Sequence, residues 1–115
     1  MVKRTLEELT TYEAAGHYGM TAMRIHGKEE TGAEKFWMGL STFLPGGGAE
    51  YAYADNPLEK VYYVLEGEMT VSDKEGKKYV IHKDESISFA PNEGRYLVNE
   101  SNKPARMLVI INYPE

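Results

Sequence analysis

Short apolar segments recur along most of this chain, and polar turns rich in glycine separate them. Some segments alternate apolar and polar residues and others are continuously apolar, which is typical of half-buried and fully buried β-strands. No segment has a long helical period. The pattern predicts an all-β domain with strands at positions 20–26, 36–44, 50–54, 59–65, 68–72, 78–82, 86–89, 95–99 and 105–112.

The segments between these strands have the composition of loops and tight turns. Residues 73–76 and 91–94 favour hairpin turns, and 27–32 favours a polar loop. Pro45 and the three glycines after it predict the end of one strand. Because an exposed sheet edge invites unwanted pairing, we expect these short strands to close into a small barrel or jelly roll.

The first 34 residues differ from the rest. Thr5 precedes Glu8 by three residues, which is the spacing of a capping box and predicts a short N-terminal helix. Gly16 and Gly19 then interrupt the chain on either side of His17. We expect residues 1–34 to form a helix and an arm that pack on a barrel of residues 35–115, within a single domain.

Composition narrows the class of protein. A length of 115 residues suits one hydrophobic core, and the absence of cysteine excludes disulfides, thiolate metal sites and thiol catalysis. The net charge of −5 argues against binding to nucleic acid or to an anionic membrane. No apolar segment approaches the ~18 residues of a membrane span. We therefore expect a cytoplasmic protein with neither nucleic-acid nor membrane partners.

Two segments resemble the cupin family, whose fold is a double-stranded β-helix of the jelly-roll type. The first extends from Pro45 and its glycines to Leu65-Glu66-Gly67-Glu68, at the end of a tyrosine-rich strand. The second comprises 83–91, followed by Asn92-Glu93-Gly94 and by Asn99. Together they cover about half of the chain. The resemblance implies a small, RmlC-like cupin with a ligand site inside the barrel.

The positions that hold a metal in this family are changed here. Family members bind a transition metal through two histidines and a glutamate of the first motif and one histidine of the second. Counting back from Gly67 and Asn99, these positions fall on Lys60, on Arg95, and on either Tyr53 with Asp55 or Ala54 with Asn56. Iron, nickel and zinc prefer imidazole or thiolate ligands, and the three histidines are far apart. We expect no metal and no other cofactor.

The residues at these positions indicate anion recognition instead. In the cupin register, strand alternation directs six side chains into the barrel, which are Lys60, Tyr62, Val64, Arg95, Leu97 and Asn99. Arginine and lysine together bind carboxylate or phosphate. A lysine beside an arginine in a desolvated pocket has a lowered pKa, which suits a base or a carbonyl-reactive amine. We expect Arg95 and Tyr62 to bind the ligand and Lys60, Tyr53 and Asp55 to be catalytic.

Three further residues are candidates. His17, between two glycines, is a catalytic candidate because imidazole titrates near neutrality. Glu50 adds a carboxylate near the mouth, and Trp37 lines either the pocket or the core. Two alternatives stay open: Lys60 and Arg95 form a structural pair with nearby carboxylates, or a slip of one residue turns Lys60 outward and Glu59 inward.

Three classes of function remain possible from the sequence, which does not decide whether the protein is an enzyme. The first is a metal-free enzyme that moves a proton on a small oxygenated metabolite, as isomerases, epimerases, lyases and dehydratases do. The second is a binding or sensing module without catalysis. The third is a metal-dependent dioxygenase or decarboxylase with unusual ligands. We also expect a homodimer, because Val61, Tyr63 and Leu65 form an outward apolar face.

Overall fold

The computed structural model describes residues 1–53 and 58–114. Within these ranges the chain forms a 3-10 helix at Leu6–Glu8, a one-turn helix α1 at Lys28–Thr31, and nine strands. The strands are β1 (Thr11–Tyr12), β2 (His17–His26), β3 (Phe36–Ala52), β4 (Lys60–Glu66), β5 (Glu68–Ser72), β6 (Lys78–His82), β7 (Ser86–Phe89), β8 (Arg95–Val98) and β9 (Ala105–Asn112). Neither helix of this described chain is long and apolar enough to cross a membrane.

The strands form an antiparallel, nearly closed barrel in which β3 belongs to both halves. The first part of β3 pairs with β9, and its last part pairs with β8. The strand order is β6-β5-β8-β3-β9-β4-β7, and β2 pairs along the other edge of β3. The two ends of this path, β6 and β7, follow each other in the chain. The all-β jelly roll that the sequence predicted is confirmed.

The predicted separation of strands 36–44 and 50–54 is wrong, because residues 36–44 and 50–52 belong to the single strand β3 of 17 residues. The glycines at its centre mark close backbone contacts rather than a turn. A Cβ atom on Gly47 would collide with the Gly19 carbonyl, and one on Gly48 would collide with the Leu97 carbonyl. Glycine inside a strand is typical of such close approach. The absence of side chains lets β3 bend from one half of the barrel into the other.

The N-terminal elements also differ from the predicted ones. The predicted helix is a single 3-10 turn, in which the Glu8 carboxylate accepts a hydrogen bond from the Thr5 N–H at 2.9 Å. The predicted loop 27–32 contains α1, whose polar turn has no apolar period to reveal it. β2 begins at His17 rather than at Met20, and the two-residue strand β1 was not predicted.

The interior of the barrel has an apolar end and a polar end. We call the apolar end the group of buried apolar side chains in the core that do not line the cavity described below, which are Val64, Met69, Val71, Ile81 and Ala105. The polar end lies around Lys60, which is opposite Ile111 on β9 and Phe89 on β7. Since both ends are built from the same strands, side chains two residues apart pass from one environment into the other.

Candidate functional site

A cavity of about 300 Å³ lies at the polar end of the barrel. Inward-facing side chains of five strands form its walls, and they are His17 and Arg24 of β2, Trp37, Ser41 and Phe43 of β3, Lys60 and Tyr62 of β4, Arg95 and Leu97 of β8, and Met107, Val109 and Ile111 of β9. The arm residues 12–15 complete the lining. This volume is at the lower end of the range for small-molecule pockets, so the cavity suits a ligand of a few carbon atoms.

Arg95 is the most deeply buried cation of the cavity, with 3% of its surface exposed. Its Nε donates a hydrogen bond to the Tyr62 hydroxyl and its Nη1 donates one to the Glu50 carbonyl, both at 2.9 Å. Neither acceptor carries a charge. In the described part of the chain, no carboxylate lies within 4 Å of the guanidinium. A buried charge is costly unless it is paired, and the described residues supply Arg95 with neutral partners only.

Lys60 contributes a second positive charge whose proton is weakly held. Its Nζ lies 5.7 Å from the centre of the Phe89 ring. Burial first, and then the charge of Arg95, lower the pKa of Lys60 to about 8. A lysine in this state exchanges its proton near neutral pH, which is the requirement for a general base or a nucleophilic amine.

His17 presents a neutral imidazole to the same cavity. Its Nδ1 lies 2.9 Å from the Ala15 carbonyl oxygen, which can only accept, so Nδ1 carries the hydrogen and Nε2 keeps its lone pair. Burial lowers the pKa of His17, the charges of Arg95 and Lys60 lower it further, and the Ala15 carbonyl opposes them. The inward position depends on a bulge, because the pairing with β3 shifts between Tyr18 and Met20.

Arg24 forms an aromatic stack that the sequence analysis missed. Its guanidinium lies 4.5 Å from the centre of the Tyr12 ring and 4.6 Å from that of Trp37. The two rings meet edge to face, with centroids 6.5 Å apart. Nη1 of Arg24 also lies 3.9 Å from a Glu30 carboxylate oxygen. Burial raises the pKa of the Tyr12 hydroxyl, with smaller opposing effects from Arg24.

The sequence does contain a signal for Arg24. Met20, Ala22 and Arg24 alternate along β2; Ala22 is buried and Met20 packs against the core, so the same face carries Arg24 inward. Tyr12, Glu13 and Ser41 also line the cavity and were not singled out. Ser41 could have been found in the same way, because it lies between Trp37 and Phe43 at even spacing in β3.

The structure brings together five of the eight candidate residues, namely His17, Trp37, Lys60, Tyr62 and Arg95. Asp55 lies outside the described residues. The slip that would exchange Lys60 for Glu59 is absent, because Glu59 is exposed and Lys60 lines the cavity.

Tyr53 and Glu50 do not line this cavity. The Tyr53 side chain is 57% exposed, and its hydroxyl donates to Asn92 at 3.5 Å outside the cavity. Glu50 directs its carboxylate outward because the preceding Ala49 occupies the inward position of β3. Glu50 contributes only its backbone carbonyl, which accepts from Arg95.

The divalent metal that the resemblance to cupins implies does not fit this set of side chains. Two of the aligned positions are the cations Lys60 and Arg95, which repel a metal ion and offer no anionic donor. Within 1–53 and 58–114, no group of three histidine, aspartate or glutamate side chains could hold a metal. Imidazole and carboxylate are the ligands such metals require, so the chemistry of the cavity is that of its own cations and phenols.

Comparison with known proteins agrees with this fold. The family model described as "Cupin domain" matches residues 39–111. A protein of Mycobacterium tuberculosis (strain ATCC 25618 / H37Rv) named beta-D-galactosidase Rv1717 is 37% identical over 103 residues, which are 90% of this chain and 86% of that protein.

Solved structures also superpose over most of the chain. Polyketide cyclase RemF from Streptomyces resistomycificus has a TM-score of 0.84 and 22% identity, over 97% of this chain and 80% of that one. A sugar phosphate isomerase from Silicibacter pomeroyi DSS-3 has a TM-score of 0.81 and 20% identity, over 97% and 76%. At these identities the superpositions show the shared fold alone.

Proposed function

The chain belongs to the cupin domain family, and we propose that it binds a small oxygenated anion, a hydroxylated carboxylate or phosphate, inside the barrel. The observation that carries this proposal is the burial of Arg95, whose acceptors among the described residues are all neutral. Its Nη2 makes no hydrogen bond with the part of the chain that the structure describes, so this donor is available to a ligand. A charge-assisted hydrogen bond of this kind contributes about 1.5–3 kcal/mol.

The other walls of the cavity support the same ligand class. Arg24, Lys60 and Arg95 line it, whereas Glu13 is the only carboxylate among the described lining residues. Trp37 and Tyr62 add aromatic surface and a phenol hydroxyl, which suit the carbon skeleton and the hydroxyl groups of a sugar-like acid. The positive charges would bind the acid group of the ligand, and the aromatic walls favour a compact carbon skeleton.

We further propose that the cavity moves a proton on this ligand, as isomerases and lyases do. Neutral Lys60 and the Nε2 atom of His17 are two bases in the cavity. The pKa of Lys60 is lowered to about 8, and the lowered pKa of His17 keeps its imidazole neutral and able to accept a proton. Arg95 is placed to stabilise the negative charge that develops on a carboxylate or carbonyl when a neighbouring C–H is deprotonated. Deuterium exchange into D-galacturonate in heavy water tests this step. Binding without exchange would instead assign a carrier or sensor.

Hydrolysis of β-galactosides is the second candidate, and the 37% identity to the mycobacterial protein supports it. Most glycosidases use two carboxylates on opposite sides of the bond, about 5–9.5 Å apart. Glu13 alone fills that role among the described lining residues. Release of nitrophenol from p-nitrophenyl β-D-galactoside would support hydrolysis. In that case Glu13→Gln should abolish the release.

Binding of an anion is tested by a pair of sugars that differ in charge. We expect D-galacturonate to raise the melting temperature and D-galactose to have little effect. Arg95→Met weakens galacturonate binding ten- to a hundredfold, because one charge-assisted contact is lost. Arg106→Met is the matched control, since Arg106 lies on β9 outside the cavity. Equal shifts for both sugars, or an unchanged response of Arg95→Met, would contradict the proposal.

We also propose that two copies pair. Val61 remains 37% exposed on β4, and Tyr63 and Leu65 are half-buried beside it, so the outer face of this strand is partly uncovered. A second copy packed against this strand would cover the exposed face of both copies in one symmetric interface. Light scattering is expected to give twice the monomer mass of 13.0 kDa at micromolar concentration. A monomer mass would rule out the pairing.

A further inference from the structure

Lys60 and Arg95 line the same cavity as the Tyr62 phenol. Tyr62 follows Lys60 by two residues on β4, so both side chains face the cavity. The Tyr62 hydroxyl accepts the hydrogen bond from Arg95 Nε at 2.9 Å. The charge of Arg95 acts on Lys60, so the two cations are close enough for one small ligand to reach both. A ligand whose carboxylate contacts the guanidinium can extend its carbon skeleton towards the Lys60 amine within the cavity of about 300 Å³.

The Lys60 amine is not engaged elsewhere in the described part of the chain. No hydrogen bond or ion pair joins its Nζ to residues 1–53 or 58–114, and its Nζ lies 5.7 Å from the centre of the Phe89 ring. With a pKa of about 8, about one tenth of Lys60 is neutral at pH 7, against fewer than about one thousandth for an ordinary lysine. Only the neutral amine attacks a carbonyl carbon.

We propose that Lys60 forms a reversible imine with the aldehyde or ketone group of an oxo acid whose carboxylate is bound by Arg95. This inference rests on the proposed function, because the anion site orients the carbonyl. It narrows the ligand class from oxygenated anions to those that carry a carbonyl near the acid group. Lys60 is then a covalent catalyst, and Arg95 is the residue that selects the substrate.

The step balances with the residues of the cavity. The Lys60 nitrogen attacks the carbonyl carbon, a C–N bond forms, and the carbonyl oxygen takes up a proton to become a hydroxyl group. The nitrogen loses its two hydrogens in the course of the reaction, and the hydroxyl leaves as water. His17 Nε2 has the free lone pair that accepts a proton from the nitrogen, and its protonated form returns one to the leaving hydroxyl. No oxidant or metal is required.

Reductive trapping tests the imine directly. The protein is incubated at pH 7 with pyruvate and cyanoborohydride, which converts an imine into a stable carboxyethyl-lysine, and peptide mapping locates the adduct. We expect Lys60 to be labelled at least about tenfold faster than any other lysine, because of its larger neutral fraction. Peptide mapping locates the adduct in the wild-type protein, so the test does not depend on whether a variant folds. Equal labelling of exposed lysines such as Lys78 would overturn the proposal.

Matched variants separate the imine from anion binding. Lys60→Arg keeps the positive charge and removes the nucleophile, so it should retain stabilisation by lactate and lose the fast labelling. Lys78→Gln should change neither. Lactate, which has a hydroxyl in place of the ketone, should slow the labelling of Lys60 in competition.

These experiments distinguish failure of the imine proposal from failure of the anion-site proposal. If pyruvate and lactate both raise the melting temperature but Lys60 is not labelled, the imine proposal is wrong and the anion-site proposal is retained. Fast labelling that lactate does not slow, with no stabilisation by either acid, overturns the anion site. In that case the amine is reactive by itself, and the inferred role of Arg95 falls with the proposed function.

Discussion

The two ends of the barrel interior are built by the same strands and have opposite chemistry. On β4, Val64 is completely buried in the apolar end, whereas Lys60 faces the cavity. On β5, Met69 and Val71 are buried in the apolar end, whereas the neighbouring strand β8 brings Arg95 into the cavity. Alternation along a strand determines which side chains face inward. The position of each residue along the strand then determines whether its side chain lies in the apolar end or in the cavity. If the proposed function holds, stability depends mainly on the apolar end and ligand recognition on the polar end.

The largest effect is expected at the apolar end. Met69 is completely buried and does not line the cavity, so Met69→Ala should lower the free energy of unfolding by about 2–5 kcal/mol. Urea denaturation measures this loss. Val80→Ala on the neighbouring strand β6 is the control and should cost less than about 0.5 kcal/mol, because Val80 is exposed. If Met69→Ala weakened galacturonate binding while folded, the division between the two ends would be wrong.

A smaller effect is expected from pH at the polar end. A bound anion favours the protonated form of Lys60, so galacturonate affinity should fall as the pH rises from 7 to 10 through the lowered pKa of about 8. Loss of one charge-assisted contact corresponds to about a tenfold change. Titration calorimetry measures it, since the carboxyl group of the sugar stays ionised throughout. Lys60→Arg should bind with nearly constant affinity, and a parallel decline in that variant would assign the effect to another group.

The smallest effect concerns the stability cost of Lys60. Burial lowers its pKa from 10.5 to about 8, so between these two pH values the unfolded chain binds a proton that the folded chain has released. Stability therefore rises with pH across this window, and the full cost of the buried charge is present below pH 8. After allowing for partial exposure, Lys60→Met should stabilise the protein by about 1 kcal/mol at pH 7.

Denaturation at several pH values measures that gain against Lys78→Met, an exposed control. The advantage of Lys60→Met over the unmodified protein should shrink as the pH approaches 10.5. An advantage that does not change with pH would mean that Lys60 acts through packing and not through its charge.

Much of the barrel could be predicted from local sequence. The bounds of β5, β6, β7 and β9 agree with the predicted strands, because glycine, proline and polar residues mark the turns on both sides. The inward orientation of Lys60, Tyr62 and Arg95 followed from alternation once the cupin-like motifs set the register. The period of the hydrophobic pattern and the composition of turns depend on residues that are neighbours in the chain. The sequence alone is therefore enough to reveal them.

The remaining features depend on contacts between distant segments. The continuity of β3 depends on the Leu97 backbone approaching Gly48, which no local pattern reveals. The outward direction of Glu50 follows from that same path. His17 reaches the cavity because a bulge shifts the register of β2 after Tyr18. A bulge reverses the alternation on one side of it, so counting residues along the strand gives the wrong face.

The arm that covers the cavity has a consequence for how this family diversifies. Residues 39–111 match the cupin model and contain Lys60, Tyr62 and Arg95, whereas His17, Arg24 and Trp37 precede that segment. The matched segment thus supplies one part of the cavity wall, and a stretch of chain that precedes it supplies another. Residues 13–15 line the cavity between β1 and β2, so substitutions there change its wall without altering a strand of the barrel. We therefore expect proteins that share this barrel to differ in the shape of the cavity through this connecting segment.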